Sequence, residues 1–511
     1  MRFSVSTATR DTNSSPLPSL RSSAGPVVRV VSSATPPKDG ALAVPVASDG
    51  LVPSLLKLDR AALTGAGFTG RLGETLLIPS QGAATLVAVG IGAKGTLNAP
   101  ALRDAAAAFA RSVGKHARIT ISLADIVSVA PDVAAQAVVE GVLLARYRYD
   151  AFKAVAPDAV VSELVLVASP NRVRAVAKGA ERGRIFAGVG KLARDLANTP
   201  AAVLTAARMA DLATEIARKH GLTIEVHDKA GLIKLGCGGL LGVNAGSTEP
   251  PRMIKLTYNP KRAKGASSHL SLVGKGIMYD SGGINLKPTD DMHLAMKMDM
   301  SGSAAVLAAM SALSDLGCKT KVTGYLMCTD NMPSGSAMKM GDVLTIRGGK
   351  TVEINNTDAE GRLVMADALV LATEDKATAI IDIATLTGAC MRALGDRVAG
   401  VLGNNQALID QVVDAADATG EAVWQLPLDH RYRKQLNSEI AMMRNVGEVA
   451  PAAITAALFL EEFVNATPWA HIDIAGTMRA SADDLWLSTG ATGFGARLLA
   501  DLAVNFSKPA R

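Results

Sequence analysis

Leu270-Ser271-Leu272-Val273-Gly274-Lys275-Gly276-Ile277-Met278-Tyr279-Asp280-Ser281-Gly282-Gly283 is the stretch on which the fold turns. Residues 270–273 read as a strand, one of several apolar runs in this half that lack the alternation of a half-wet sheet. Such runs are expected where helices cover both faces. Lys275 and Asp280 follow directly, so this reading sets them where a buried strand gives way to a glycine-rich loop. In α/β sheets that carboxyl end of a strand is where ligands bind.

Working outward, residues 222–226, 253–258, 322–327, 379–383 and 469–474 read as further strands of the same sheet. A helical pattern runs over 173–197 and stops at Asn198-Thr199-Pro200, where the proline enforces an extended residue before it. Upstream, strands are predicted at 75–78, 85–89, 118–123 and 163–168, with helices at 98–113 and 133–147. That alternation argues a second layered α/β domain. The expected organisation is an extension over 1–40, disordered or loosely attached, then a smaller N-terminal α/β domain over 41–172. A linking helix follows over 173–200, and a larger domain with a mixed sheet between helices fills 201–511.

Composition narrows the function. A chain of 511 residues with 49% hydrophobic, 20% charged and 4% aromatic side chains is a globular protein whose core is built from aliphatic packing. A net charge of +6 without a basic run gives no electrostatic case for nucleic acid. Four scattered cysteines, Cys237, Cys318, Cys328 and Cys390, read as buried free thiols in a reducing compartment. No apolar run reaches the 18 residues a membrane span needs. The first 37 residues are rich in Ser, Thr, Pro and Arg and lack the apolar core of a secretory signal, with a transit peptide as the lesser alternative.

Familiar catalytic signatures are missing: there is no H-E-x-x-H, no G-x-S-x-G and no complete phosphate loop, since Leu344 stands where Gly349-Lys350-Thr351 would need a glycine before it. Gly90-Ile91-Gly92-Ala93-Lys94-Gly95 follows a predicted strand and hints at a dinucleotide fingerprint, but Asp125 lies too far on for its acidic partner. His293 and His471, met singly, read as structural.

The polar residues gather in two segments. One is the opening stretch, continued by Lys287 and by Met296-Lys297-Met298-Asp299; the other is Asn356-Thr357-Asp358-Ala359-Glu360-Gly361-Arg362-Leu363. Asp358 and Glu360 are two apart and in an extended loop point the same way. Packed carboxylates raise each other's pKa unless a cation holds them ionised. Lys275, Lys287 and Arg362 are one source of that charge and a divalent metal is another, with Zn²⁺, Mn²⁺ and Mg²⁺ all suited to oxygen ligands.

At these residues the sequence resembles the leucyl aminopeptidase family of two-metal aminopeptidases. The segment from Asn356 to Leu363 matches that family's signature octapeptide at every position. Asn331-Met332-Pro333-Ser334-Gly335, Ala384-Thr385-Leu386-Thr387-Gly388-Ala389 and Trp469-Ala470-His471-Ile472-Asp473-Ile474-Ala475-Gly476 also fit in order. The resemblance implies two divalent ions, Mn²⁺ or Zn²⁺. Lys275, Asp280, Asp299 and Glu360 would hold the tighter one, and Asp280, Asp358 and Glu360 the more exchangeable one. It further implies Lys287 as the electrophile and Arg362 as holder of a bicarbonate base, helped by the main chain of Ala359, Gly361 and Leu386. Met296, Thr385, Gly388, Ala475 and Met478 would line the pocket for the first side chain, with apolar residues such as leucine preferred.

The same resemblance implies peptide substrates, a cytoplasmic homohexamer built as a dimer of trimers, and no membrane partner. The rival expectation is a DNA-binding or nucleotide-binding regulator that uses the N-terminal domain. This chain departs from the family pattern at Tyr279 and Asn285, in the turn at 447–452 and at Ser488-Thr489.

Overall fold

A computed structural model describes residues 25–510, apart from 34–37, 79–83, 124–125, 127, 154–158 and 261–267. The N-terminal sheet has six strands in the spatial order Val27–Val31, Glu163–Val167, Arg118–Ser122, Ala41–Val46, Thr85–Gly90, Thr75–Ile78. All neighbours are parallel except the last pair. The helices Ala99–Ser112 and Pro131–Ala145 cover it, the first opened by the Asn98 side chain accepting from the Ala101 amide.

One expectation needs correction here. Val27–Val31, inside the stretch 1–40 expected to be loose, is an ordered edge strand paired in register with Glu163–Val167. Its β-branched Val-Val-Arg-Val-Val run favours a pleated surface, a short signal hidden among the Ser and Pro around it. Residues 1–24 and 34–37 of that stretch lie outside the described residues, as does Asp125.

Gly90 closes the strand Thr85–Gly90 at a point where a Cβ would come 1.9 Å from the Arg71 carbonyl oxygen. After a single 3-10 turn at Lys94–Thr96, the following α-helix begins only at Ala99. These glycines therefore serve a close backbone approach and a turn; they do not open a helix onto a phosphate, as a dinucleotide fingerprint must.

The long helix Val173–Asn198 does more than connect. Val176, Ala180 and Ala187 sit in the N-terminal core, whereas Phe186, Val189, Leu192 and Leu196 sit in the core of the second domain. Glycines let it lie close to its neighbour: a Cβ on Gly179 would stand 1.9 Å from the Asp132 carbonyl oxygen. Buried charges cross the domain boundary with ion-pair or carbonyl partners, as burial demands. Glu140 accepts from Arg103 at 2.9 Å and from Arg497 at 2.7 Å, and Arg194 donates to the carbonyls of Leu144, Trp486 and Thr492.

The second sheet has eight strands in the order Val423–Gln425, Ala399–Gly403, Trp469–Asp473, Ala379–Ala384, His269–Asp280, Lys321–Asn331, Arg252–Tyr258, Thr223–His227. The four from Trp469–Asp473 to Lys321–Asn331 run parallel, and antiparallel strands flank them. Ser301–Ala312, Ala206–His220 and Ala496–Asn505 pack on one face; Gly361–Glu374 and Ala452–Glu461 pack on the other. This is the two-domain α/β architecture with a mixed sheet between helices. Among the described residues no helix is long and apolar enough to cross a membrane, and all four cysteines are free and buried.

Candidate active site

The strand carrying Lys275 is longer than its sequence suggests. It runs through His269–Asp280, so Lys275 lies inside a strand and not in a loop. The glycines that suggest a loop are instead where the helix Ser301–Ala312 leans on the sheet. A Cβ on Gly274 would sit 2.7 Å from Ser303 Cα, and one on Gly276 would sit 2.7 Å from Ser303 Oγ. Thr329 pairs with Ile277 and Asn331 with Asp280, so two steps on one strand face three on the other. Such an extra residue reverses the side-chain alternation. Asp280 consequently emerges on the same face as Lys275.

Asp358 and Glu360 arrive differently from the expected extended loop. Thr357 and Asp358 form a turn, and Glu360 caps the helix Gly361–Glu374 with helical backbone angles. A carboxylate at a helix N-terminus is favoured by the peptide dipoles. Asp299 stands just before the helix Ser301–Ala312.

These residues converge. Lys275 Nζ lies 2.9 Å from Asp299 and 2.8 Å from Glu360 Oε1, and it donates to the Thr385 carbonyl at 2.9 Å. Lys287 Nζ lies 2.8 Å from Asp280 Oδ2 and 2.5 Å from Asp358 Oδ1. Asp280, Asp358 and Glu360 each offer an oxygen, all within 4.8 Å of one another. Lys275, Asp280, Asp299 and Glu360 are buried, while the Asp358 side chain is 33% exposed and forms the mouth.

Four carboxylates against two ammonium groups leave the cluster formally at −2. Burial, followed by Glu360 and Asp280, pushes Asp358 up to about 6. Burial also raises Asp280, with Glu360 adding to it, and raises Asp299 well above the carboxylate range. Glu360 is held below its ordinary value: burial opposes this, and Lys275 and Lys287 outweigh it. Both lysines are raised, because the surrounding carboxylates overcome their burial. The buried Glu360 Oε2 meets no hydrogen-bond donor among the described residues. A dry carboxylate oxygen without a donor, in a cluster short of positive charge, fits a cation.

The support around the cluster is mostly asparagine and threonine. Asn331 Nδ2 donates to Asp280 Oδ1 at 2.9 Å and to the Thr357 carbonyl at 3.1 Å. Asn285 and Thr357 clasp each other, each giving its amide to the other's side-chain oxygen at 2.9 and 2.8 Å. The departure at Asn285 therefore still ties the Gly282–Gly283 turn to the octapeptide. Asn445, about which the sequence offers no motif, accepts from the amides of Asn355 and Asn356 and takes the Arg362 Nη1 proton on its carbonyl at 2.9 Å.

Arg362 is buried, its pKa lowered to about 10 by that burial, and its Nε has no acceptor among the described residues. Leu386, expected beside the same anion, gives its amide to Asp473 at 3.2 Å. Ala359 and Gly361 flank Glu360 at the helix start. Of the side-chain pocket candidates, Met296 and Met478 are buried in one apolar cluster, and Thr385 hydrogen-bonds Asp299 at 2.7 Å. Gly388 is exposed at the start of the helix Gly388–Leu394, and Ala475 is half-buried. His471 is structural in its contacts: its Nδ1 and the Trp469 indole both bond Asp382 inside the sheet.

Fold and cluster together define an α/β protein with a carboxylate–lysine cluster, suited to a cation, at the carboxyl ends of parallel strands. Comparison with known proteins adds the family. The model of the cytosol aminopeptidase family catalytic domain matches residues 191–500, and that of its N-terminal domain matches 54–155. The chain belongs to the cytosol aminopeptidase family and is a metal-dependent aminopeptidase. It is 44% identical over 463 residues to a probable cytosol aminopeptidase of Streptomyces avermitilis, covering 87% of this chain and 88% of the relative. A probable cytosol aminopeptidase of Streptomyces coelicolor is 41% identical over 491 residues, covering 91% and 92%. Among solved structures, the bottromycin maturation enzyme BotP in complex with Mn superposes with a TM-score of 0.83 at 38% identity, covering 91% of this chain and 99% of that one.

Proposed function

We propose that this aminopeptidase releases apolar N-terminal residues, leucine among those preferred, from peptides, using a water activated between two divalent ions, manganese or zinc. The observation that carries this reading is the pairing within the cluster: Lys275 bridges Asp299 and Glu360, while Lys287 bridges Asp280 and Asp358. Two separate places in one anionic cluster thus already hold a positive charge. When bound, a pair of divalent ions supplies an acidified water and electrostatic stabilisation of the oxyanion formed on the scissile carbonyl.

Lys275, Asp280, Asp299, Asp358 and Glu360 would hold the ions. Lys275 binds as the neutral amine, so metal uptake expels its proton. Lys287 has the more exposed side chain, 19% against 4% for Lys275; it stays protonated and donates to the substrate's carbonyl oxygen. Arg362, with its unshared Nε, would hold a bicarbonate beside the main chain of Ala359 and Gly361, and that anion would supply a general base. Because the Leu386 amide is already bonded to Asp473, Arg362 carries the larger share of that binding.

Met296, Thr385, Gly388, Ala475 and Met478 receive the first side chain. None of the five carries a charge, which disfavours an acidic first residue even though the Arg392 guanidinium lies near Gly388, and pliable methionines make selectivity among Leu, Met and Phe shallow. The protein works in the cytoplasm as a homohexamer, a dimer of trimers, on peptides and without nucleic acid; the weak net charge of +6 supports the last point. The test is hydrolysis of a panel of amino-acyl anilides, with metal analysis and with and without a chelator. Free leucine anilide should be cleaved only with metal present, and its acetylated form should not be cleaved at all. Equal cleavage of the two, or an acidic residue ranked above leucine, refutes the corresponding part of the reading.

A further inference from the structure

Asp473 ends the strand Trp469–Asp473, paired with Ala384 across the parallel ladder, and it is 1% exposed. Its Oδ1 accepts the amides of Leu386 at 3.2 Å, Thr387 at 3.4 Å and Ala475 at 3.1 Å. Its Oδ2 accepts the Thr387 hydroxyl at 2.6 Å. No lysine or arginine forms an ion pair with it among the described residues; four neutral donors satisfy one buried carboxylate. Donors this numerous hold a carboxylate well, since hydrogen bonds to a charged acceptor are the stronger ones.

The two loops gathered by this carboxylate are the two sides of the side-chain pocket proposed above. One carries Thr385 and Gly388, the other Ala475 and Met478. The first loop also supplies the Thr385 carbonyl to Lys275 and the Thr385 hydroxyl to Asp299. Thr387, besides donating to Asp473, accepts the Cys390 amide and so starts the helix Gly388–Leu394. We infer that Asp473 is a positioning residue that sets the separation of the pocket walls and thereby the enzyme's selectivity for the first side chain. The inference rests on the aminopeptidase reading of the pocket, but the clasp itself can be measured without it.

The experiment compares wild type with Asp473→Ala, Asp473→Asn and Thr387→Val, using the full chain. Asparagine keeps an oxygen for the three amides, and its amino group can donate to the Thr387 hydroxyl; alanine keeps nothing. Hydrogen exchange followed on the peptide covering residues 384–391 should quicken about tenfold or more in Asp473→Ala and about threefold or less in Asp473→Asn. The ratio of kcat/KM for leucine over alanine anilides should collapse in parallel, with rescue by Asn and unchanged metal content. If Asp473→Ala does not fold, Thr387→Val removes the 2.6 Å contact together with the cap on the Cys390 amide, so its exchange is read at the Leu386 and Thr387 amides, where it should give an intermediate quickening. Wild-type exchange in every variant that folds overturns the clasp. Fast exchange with unchanged selectivity overturns the link to the pocket, and a wild type indifferent to side chain refutes the pocket assignment while the exchange result still decides the clasp.

Discussion

Lys287→Ala separates the two roles a half-buried lysine can have in this cluster. Its ammonium stands 2.8 Å from Asp280 and 2.5 Å from Asp358. As a counter-ion it competes with metal for those oxygens, so its removal should leave metal content equal or higher. As an electrophile aimed at the developing oxyanion it acts chiefly in the transition state. Loss of one such donor typically costs about 3 to 4 kcal/mol, or roughly a hundredfold to a thousandfold in kcat. KM should stay within a few-fold, because an interaction realised only in the transition state leaves ground-state binding nearly intact. The assay is steady-state hydrolysis of leucine anilide in saturating metal, with elemental analysis of the protein after gel filtration. Near-normal kcat would end the electrophile assignment, and loss of metal together with activity would refute the competition and make Lys287 a support of the carboxylates that hold the metal.

Three further perturbations bear on the same site and on the fold. Glu360→Ala should abolish turnover and lower metal content, since Glu360 serves both halves of the cluster; full activity with stoichiometric metal would remove it from the ligand set. Gly361→Ala places a Cβ 2.5 Å from Lys275 Cε, so it should displace that side chain and reduce metal content in a folded protein, with an overpacking cost of about 1 to 3 kcal/mol in thermal unfolding. Asp367, buried where its carboxylate accepts the Leu240 and Arg347 amides, has its pKa pushed up to about 7 by burial. The folded state therefore binds the proton more tightly than the unfolded chain, and stability should fall as pH rises from about 4 to about 7, by at most about 1.4 kcal/mol per pH unit. Asp367→Asn should flatten that part of the Tm profile, and parallel profiles for the two proteins would refute it.

What was legible in the sequence was residue type in order along the chain. The octapeptide displays its carboxylates within a few positions, and the strands beneath it are near-uniform apolar runs, so the α/β class and the polar cluster could both be read there. What was not legible depends on partners far away in sequence. Gly274 and Gly276 look like a loop because a glycine carries no mark of the helix that needs its missing side chain; only the approach of Ser303 shows that the strand continues through them. The extra residue before Asp280 is likewise invisible until the register against Asn331 is known, yet without it Asp280 would face away from Lys275. Asn445 and Asp473 act through main-chain amides whose owners lie about 90 residues away, and a side chain that binds backbone leaves no complementary residue for a motif to display. Parallel strands make such long-range support unavoidable: ladder neighbours are joined through intervening helices, so a site at their ends is assembled from segments that the sequence keeps apart.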